Sequence, residues 1–152
     1  MLKKIFFGLL IVFVVIQFIR PERNNGAIAG PNDITHYVQV PDTVMHVLQV
    51  SCFDCHSNQT RYPWYVNINP VGWWLKHHID EGKHALNFSD LSQLPEKKRV
   101  HRMGDIGEQV EKHEMPLTSY TLIHTDAKLS DAQIQMLKEW SAKAKAEVAA
   151  RP

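Results

Sequence analysis

Both cysteines of this 152-residue chain fall within five consecutive residues, Cys52-Phe53-Asp54-Cys55-His56. These five constrain the fold most, because each position of C-x-x-C-H has a chemical job and the chain must house what they hold. The pattern is the attachment signature of a c-type haem. The two thiols add across two vinyl groups, and the two intervening residues set the thiol spacing. The histidine is held beneath the iron as proximal ligand. Other readings of the same residues exist. A redox dithiol expects strand–helix alternation and a helix start that stabilises a thiolate, and no such alternation is visible. Half a zinc site needs histidines at finger spacing, which the nine histidines do not supply. Two buried, inert thiols are the plain remainder. No third cysteine is left for a disulfide or a four-Cys zinc site.

At this length one domain is the default. A formal net charge of +1 gives no basic field for nucleic acid. Apolar residues are unevenly placed. Residues 5–19 (IFFGLLIVFVVIQFI) are apolar apart from Gly8 and Gln17, follow Lys3 and Lys4, and are closed by Arg20-Pro21. This is a membrane or targeting segment. As a helix it covers roughly 22 Å, short of a hydrocarbon core of about 30 Å, and snorkelling by Lys4 and Arg20 or bilayer thinning closes the gap. Residues 1–22 are expected to be an uncleaved signal anchor. A cleaved signal peptide is the alternative, since Ala27-Ile28-Ala29 fits an A-x-A site. Either way, residues 23 onward lie outside the cytoplasm, on the periplasmic side of a bacterial inner membrane, anchored there or released as a soluble periplasmic protein.

Residues 23–34 are rich in Asn, Gly and Pro and read as a linker. Residues 43–51 carry Val44, Val47, Leu48 and Val50 on an approximate helical face, with Pro41-Asp42 as its start, and deliver the C-x-x-C-H motif. Residues 57–65 are polar, then aromatic, and broken by Pro63. Here Trp64 and Tyr65 are candidates to cover a haem edge, and Arg61 to pair with a propionate. Simple core packing is the plainer reading of the aromatics. Residues 70–82 have a helical pattern with Gly82 as a stop signal. A further helix spans 95–114, with Val100, Met103, Ile106, Gly107 and Val110 at helical spacing. Ser130-x-x-Gln133 is a capping box opening a last helix striped by Leu129, Ile134, Leu137, Trp140 and Ala144. The tail, 146–152, is expected to fray. No strand alternation persists, so the class is all-α, a small helical domain over 35–145 behind the N-terminal membrane or signal helix.

Haem iron leaves one axial position opposite His56. Met115 is the best candidate, because it follows a helix and precedes Pro116 in a stiff loop. A thioether there makes a low-spin electron-transfer centre and raises the potential. Met45, Met103 and Met136 sit on helical stripes and read as packing. His77, His78, His84, His101, His113 and His124 are the bis-histidine alternatives. The order C-x-x-C-H, middle helices, Met-Pro, final helix resembles class I cytochromes c.

Two blocks carry a closer resemblance. The first is Cys52-Phe53-Asp54-Cys55-His56-Ser57-Asn58-Gln59-Thr60-Arg61-Tyr62-Pro63-Trp64-Tyr65. The second is Met115-Pro116-Leu117, Tyr120, His124, Ala127, Leu129-Ser130 and Trp140. They resemble the bacterial haem-binding domain family of C-x-x-C-H proteins over about residues 35–143. Many relatives carry Met-Pro-Pro where this chain has Met115-Pro116-Leu117, and the ligand candidate is kept. The resemblance implies haem binding and frequent membrane anchoring. The expectation is a membrane-tethered carrier of single electrons with one covalent haem c, held by Cys52, Cys55, His56 and Met115, that needs no catalytic residue. It would exchange electrons with a partner protein the sequence does not name. A haem sensor or peroxidase-like enzyme with a labile sixth position is the alternative, and a zinc-stabilised interaction module a second one.

Overall fold

The computed structural model describes residues 1–150. Among the described residues the chain is all-helical, as expected, and an isolated bridge pairs Asn25 with Gln59. The helices are α1 (Leu2–Ile16), α2 (Asp42–Ser51), α3 (Phe53–His56), α4 (Val71–Ala85), α5 (Glu96–Glu111), α6 (Thr118–Thr121) and α7 (Asp131–Ala149). Short 3₁₀ turns punctuate the connections.

The periodic stripes become the core. Val44, Val47 and Leu48 of α2 meet Phe53 of α3, Met103, Ile106 and Val110 of α5, and Leu137, Trp140, Ala144 and Val148 of α7. Met103 is fully buried, and Met45 and Met136 pack against the same cluster, so all three act as packing residues. α5 and α7 make the most extensive helix contact. They approach closely at Gly107, whose N–H donates to Ser141 Oγ at 3.0 Å. A Cβ there would sit 3.2 Å from the Lys138 Cα. The capping box forms as read, with Ser130 Oγ accepting from Gln133 N–H and Gln133 Oε1 accepting from Ser130 N–H.

Several boundaries differ from expectation, each for a local reason. Gly82 does not stop α4, which runs to Ala85. A Cβ at Gly82 would lie 2.7 Å from the Cys55 carbonyl oxygen, so this glycine sets how closely α4 packs on the motif. α5 ends at Glu111, because His113 takes a left-handed conformation (φ 56°) that closes the helix. The stretch read as a linker is tied down from Asn24 to Asp33. Asn24 binds Ser57, Thr60 and Tyr62, and Gly26 N–H reaches the Asn58 carbonyl. Its composition marks a turn-rich path but not the partners that fix it. Ile34, at its end, is 1 % exposed. α7 continues past 145 to Ala149 because Val148 still has core to fill, so residues 146–149, expected to fray, are helical, and residues 151–152 lie outside the described residues.

The apolar segment forms a helix three residues earlier than read. None of its residues is buried, and the helix ends at Ile16, where Gln17 takes over as cap. Among the described residues no helix is long and apolar enough to cross a membrane.

Forcing side-chain volume between α5 and α7 should cost stability. Gly107→Val is expected to destabilise the domain by about 1–3 kcal/mol through overpacking against Ser141 and Lys138, measured as a lowered denaturation midpoint.

Candidate haem site

The motif is presented by a break in the helix. Cys52 caps the end of α2, with φ −126° and ψ −36°, and also opens α3. Cys52 N–H still donates to Leu48 O at 2.9 Å, and His56 N–H to Cys52 O at 3.0 Å. The backbone therefore continues in a helical turn, and residues three apart on such a turn face the same side. Cys52, Cys55 and His56 border one cleft of about 360 Å³, and Met115 with Pro116 and Leu117 borders it too. That volume lies in the range of roughly 300–1,000 Å³ typical of ligand pockets. Two further clefts adjoin it. One, about 240 Å³, shares Cys52, His56 and Met115 and adds Phe88, Ile106 and Val110. The other, about 310 Å³, shares Cys55 and Tyr120 and adds Tyr65, Trp74 and Ile123.

His56 is gripped at both backbone and ring. Its Nδ1 lies 2.9 Å from the Leu86 carbonyl oxygen, and its own carbonyl accepts from Phe88 N–H at 2.7 Å. A proton on Nδ1 donates to that carbonyl, so Nε2 is the ring nitrogen with a lone pair for a metal. Burial lowers the His56 pKa, against the opposing pull of the Leu86 and Gly82 carbonyls, which favours the neutral ring that a metal ligand must be. The Phe88 ring stacks on Phe53 at 5.4 Å and meets the His56 ring edge-on at 6.2 Å. Leu86 is delivered by the end of α4 in extended conformation.

Met115 is placed by the end of α5. His113 N–H donates to Val110 O at 3.2 Å and Glu114 N–H to Gln109 O at 3.0 Å, a Schellman-type stop with His113 where glycine is usual. Met115 N–H also reaches Gln109 O, at 3.2 Å. The backbone on both sides of the cleft is thus pinned before any ligand enters.

The part the sequence reading missed is a buried carboxylate inside the motif. Asp54 is 6 % exposed. Its Oδ1 accepts from Arg61 N–H at 3.0 Å and Arg61 Nε at 3.2 Å, and its Oδ2 from Tyr120 OH at 2.6 Å and Arg61 Nη2 at 3.2 Å. Thr60 Oγ1 donates to the Asp54 carbonyl at 2.6 Å. Tyr120 is raised well above the usual phenol range by burial and by the carboxylate it bonds. Arg61 is thus bonded to Asp54 through Nε and Nη2. Tyr65 borders the cleft beside Arg61, whereas Trp64 is 75 % exposed and lines none of the three clefts. Of the alternative histidines, His77 and His78 border the first cleft and His124 the second. His78 Nδ1 is 3.0 Å from the Trp74 carbonyl, and the His124 ring stacks on Tyr120 at 4.2 Å.

The donor set fits a covalent haem. Two thiols, a neutral imidazole and a thioether sulfur share a cleft with apolar walls. It does not fit the rivals. Burial pushes Cys52 up to about 12, with Cys55 adding to the shift, and Cys55 up to about 11, with Asp54 adding to it, the reverse of an activated dithiol. Among the described residues no three His, Cys, Asp or Glu side chains are grouped to hold a metal ion.

A family model described as a haem-binding domain matches residues 11–143. No curated protein and no solved structure matches the chain.

Three outcomes follow for the chain without haem. Cysteine alkylation should be slow at pH 8 and climb with alkalinity. Because both thiols are raised from 9.0, folding keeps them protonated while the unfolded chain ionises. Stability is thus intact below pH 9 and falls from there to about 12, which alkaline titration of the denaturation midpoint checks. Tyr120→Phe should cost about 1.5–3 kcal/mol, the loss of a hydrogen bond to a charged acceptor, read by denaturant unfolding.

Proposed function

The chain belongs to the haem-binding domain family, and we propose that it is a carrier of single electrons with one covalently attached haem c. Cys52 and Cys55 form the thioether links, His56 Nε2 is the proximal ligand and Met115 the distal one. The observation that carries this reading is the shared cleft: both thiols, the ring whose Nδ1 faces the Leu86 carbonyl, and the Met115 loop all border it. Haem supplies the redox chemistry when bound, and the protein supplies ligation, burial and orientation. Burial favours the neutral form of His56, and Leu86 and Phe88 direct the ring, which would limit reorganisation of the ligand. Phe88, Ile106 and Val110 line the adjoining cleft with apolar surface that would shield a bound haem from water. We place the domain on the periplasmic side of a bacterial inner membrane, with α1 and residues 17–20 as the anchor. Lys3 and Lys4 stay inside, and haem attachment takes place where the motif then lies. The redox partner is a protein of unknown identity.

A second reading has its own support. His77, His78 and Glu81 also border the first cleft, opposite α3. A ligand exchange between Met115 and an open position would give a sensor or a peroxidase-like enzyme.

Expression with a cytochrome c maturation system tests attachment. The pigment should stay with the protein in acidified organic solvent, and extraction into the solvent would rule covalent attachment out. Met115→Ala should convert the reduced protein from one that binds carbon monoxide slowly to one that binds it at once, with a changed absorption spectrum. An unchanged spectrum removes Met115 as ligand and favours the second reading.

A further inference from the structure

Helix α1 is joined to the domain by more than the chain that follows it. Asn69 Nδ2 donates to the Ile16 and Ile19 carbonyls, both at 2.9 Å. Asn69 N–H donates to Gln17 Oε1 at 2.9 Å, and Gln17 Nε2 returns to the Asn69 carbonyl at 3.0 Å and to Phe13 O at 2.8 Å. Trp73 Nε1 donates to Ile19 O at 2.9 Å, and Arg20 donates to Asn67 O. The last carbonyls of a helix have no intrahelical donors and usually turn to water. Here protein groups serve them, which is what a helix end at the edge of hydrocarbon requires.

The segment that makes this clamp also bears an exposed apolar face. Trp64, Ile68, Val71 and Trp74 are 75, 40, 39 and 49 % exposed, and Leu122 and Ile123 are 71 and 62 % exposed. Ile123 borders the same cleft as Val71 and Trp74, which brings the two stretches together there. An apolar patch of this kind marks a contact site. Its occupant is read from continuity: it begins at the clamp that holds an apolar helix with no buried residue. Tryptophan suits the headgroup level of a bilayer. Arg20 and Arg23, both bonded to Asn67 in that clamp, suit anionic headgroups.

We propose that the face formed by Trp64, Ile68, Val71, Trp74, Leu122 and Ile123 lies on the lipid surface. The haem domain is then held flush against the bilayer by the α1 clamp rather than swinging on a tether. This rests on the reading of α1 as a membrane helix. Cys55 borders the same cleft as Trp74 and Ile123, so one edge of the haem site adjoins the docked face.

The test uses the full haem-loaded chain, labelled with 5-fluorotryptophan, in vesicles of phosphatidylcholine and phosphatidylglycerol. The four tryptophan fluorine signals are assigned by single Trp→Phe variants and compared with and without spin-labelled headgroups. The Trp64 and Trp74 signals should lose most of their intensity while Trp140, buried and bonded to the Gln39 carbonyl, keeps its own. Leu122→Glu with Ile123→Glu should restore the Trp74 signal and leave that of Trp140 unchanged. Vesicle-bound protein whose Trp64 and Trp74 signals match Trp140 overturns the docking face and leaves the anchor standing. Attenuation that survives the double substitution also overturns it, assigning the proximity to α1 alone. Protein that stays in the supernatant when vesicles are sedimented overturns the anchor, and the docking face with it.

Discussion

The buried Asp54 carboxylate is the interaction on which the site depends. It lies between the two cysteines, in a place where a charge is costly unless hydrogen bonds and a counter-charge satisfy it. Arg61 and Tyr120 satisfy it, and they come from different parts of the chain. Arg61 belongs to the loop that leaves the motif, and Tyr120 to the short helix that follows the Met115 loop. One carboxylate therefore fixes the α3 turn, the loop behind it and the segment across the cleft in a single arrangement. The spacing between the motif and the Met115 loop is held by these bonds to Asp54.

A second set of contacts makes the proximal side rigid. Gly82 lets α4 press against the Cys55 carbonyl, and the end of that helix delivers Leu86 to the His56 ring. Phe88 then closes the grip through its N–H and its ring. A side chain at position 82 would push α4 away and carry Leu86 with it, so a glycine far from the motif in sequence governs the orientation of the ligand. The opposite wall is held by the α5–α7 pair, which ends in the Schellman stop before Met115.

The N-terminal helix changes meaning once its end is seen. As a sequence it is a hydrophobic run with basic flanks. In the fold its terminal carbonyls are served by Asn69 and Trp73, residues of the same segment that lines the site's second cleft. The end of α1 and the second cleft thus share one structural element.

Much of the fold was legible in the chain. The stripes of α2, α5 and α7 predict their buried faces because burial enforces a 3.6-residue period. Ser130 and Gln133 predict a helix start because capping is local chemistry. The motif names its own candidate ligands for the same reason, since thiol spacing and an adjacent imidazole are properties of the local chain. Position 82 and residues 23–34 were misread, because glycine and asparagine mark both breaks and close contacts, and only a neighbour tells which. Trp64 and Arg61 were given to the haem edge on residue type alone. The sequence by itself determined the helical class, the attachment motif and the candidate Met115. Only the tertiary structure decided that Asp54 ties Arg61 to Tyr120, that Leu86 directs His56, and that α1 is clamped to the domain, because each joins residues whose nearness is created by packing and written in no local pattern.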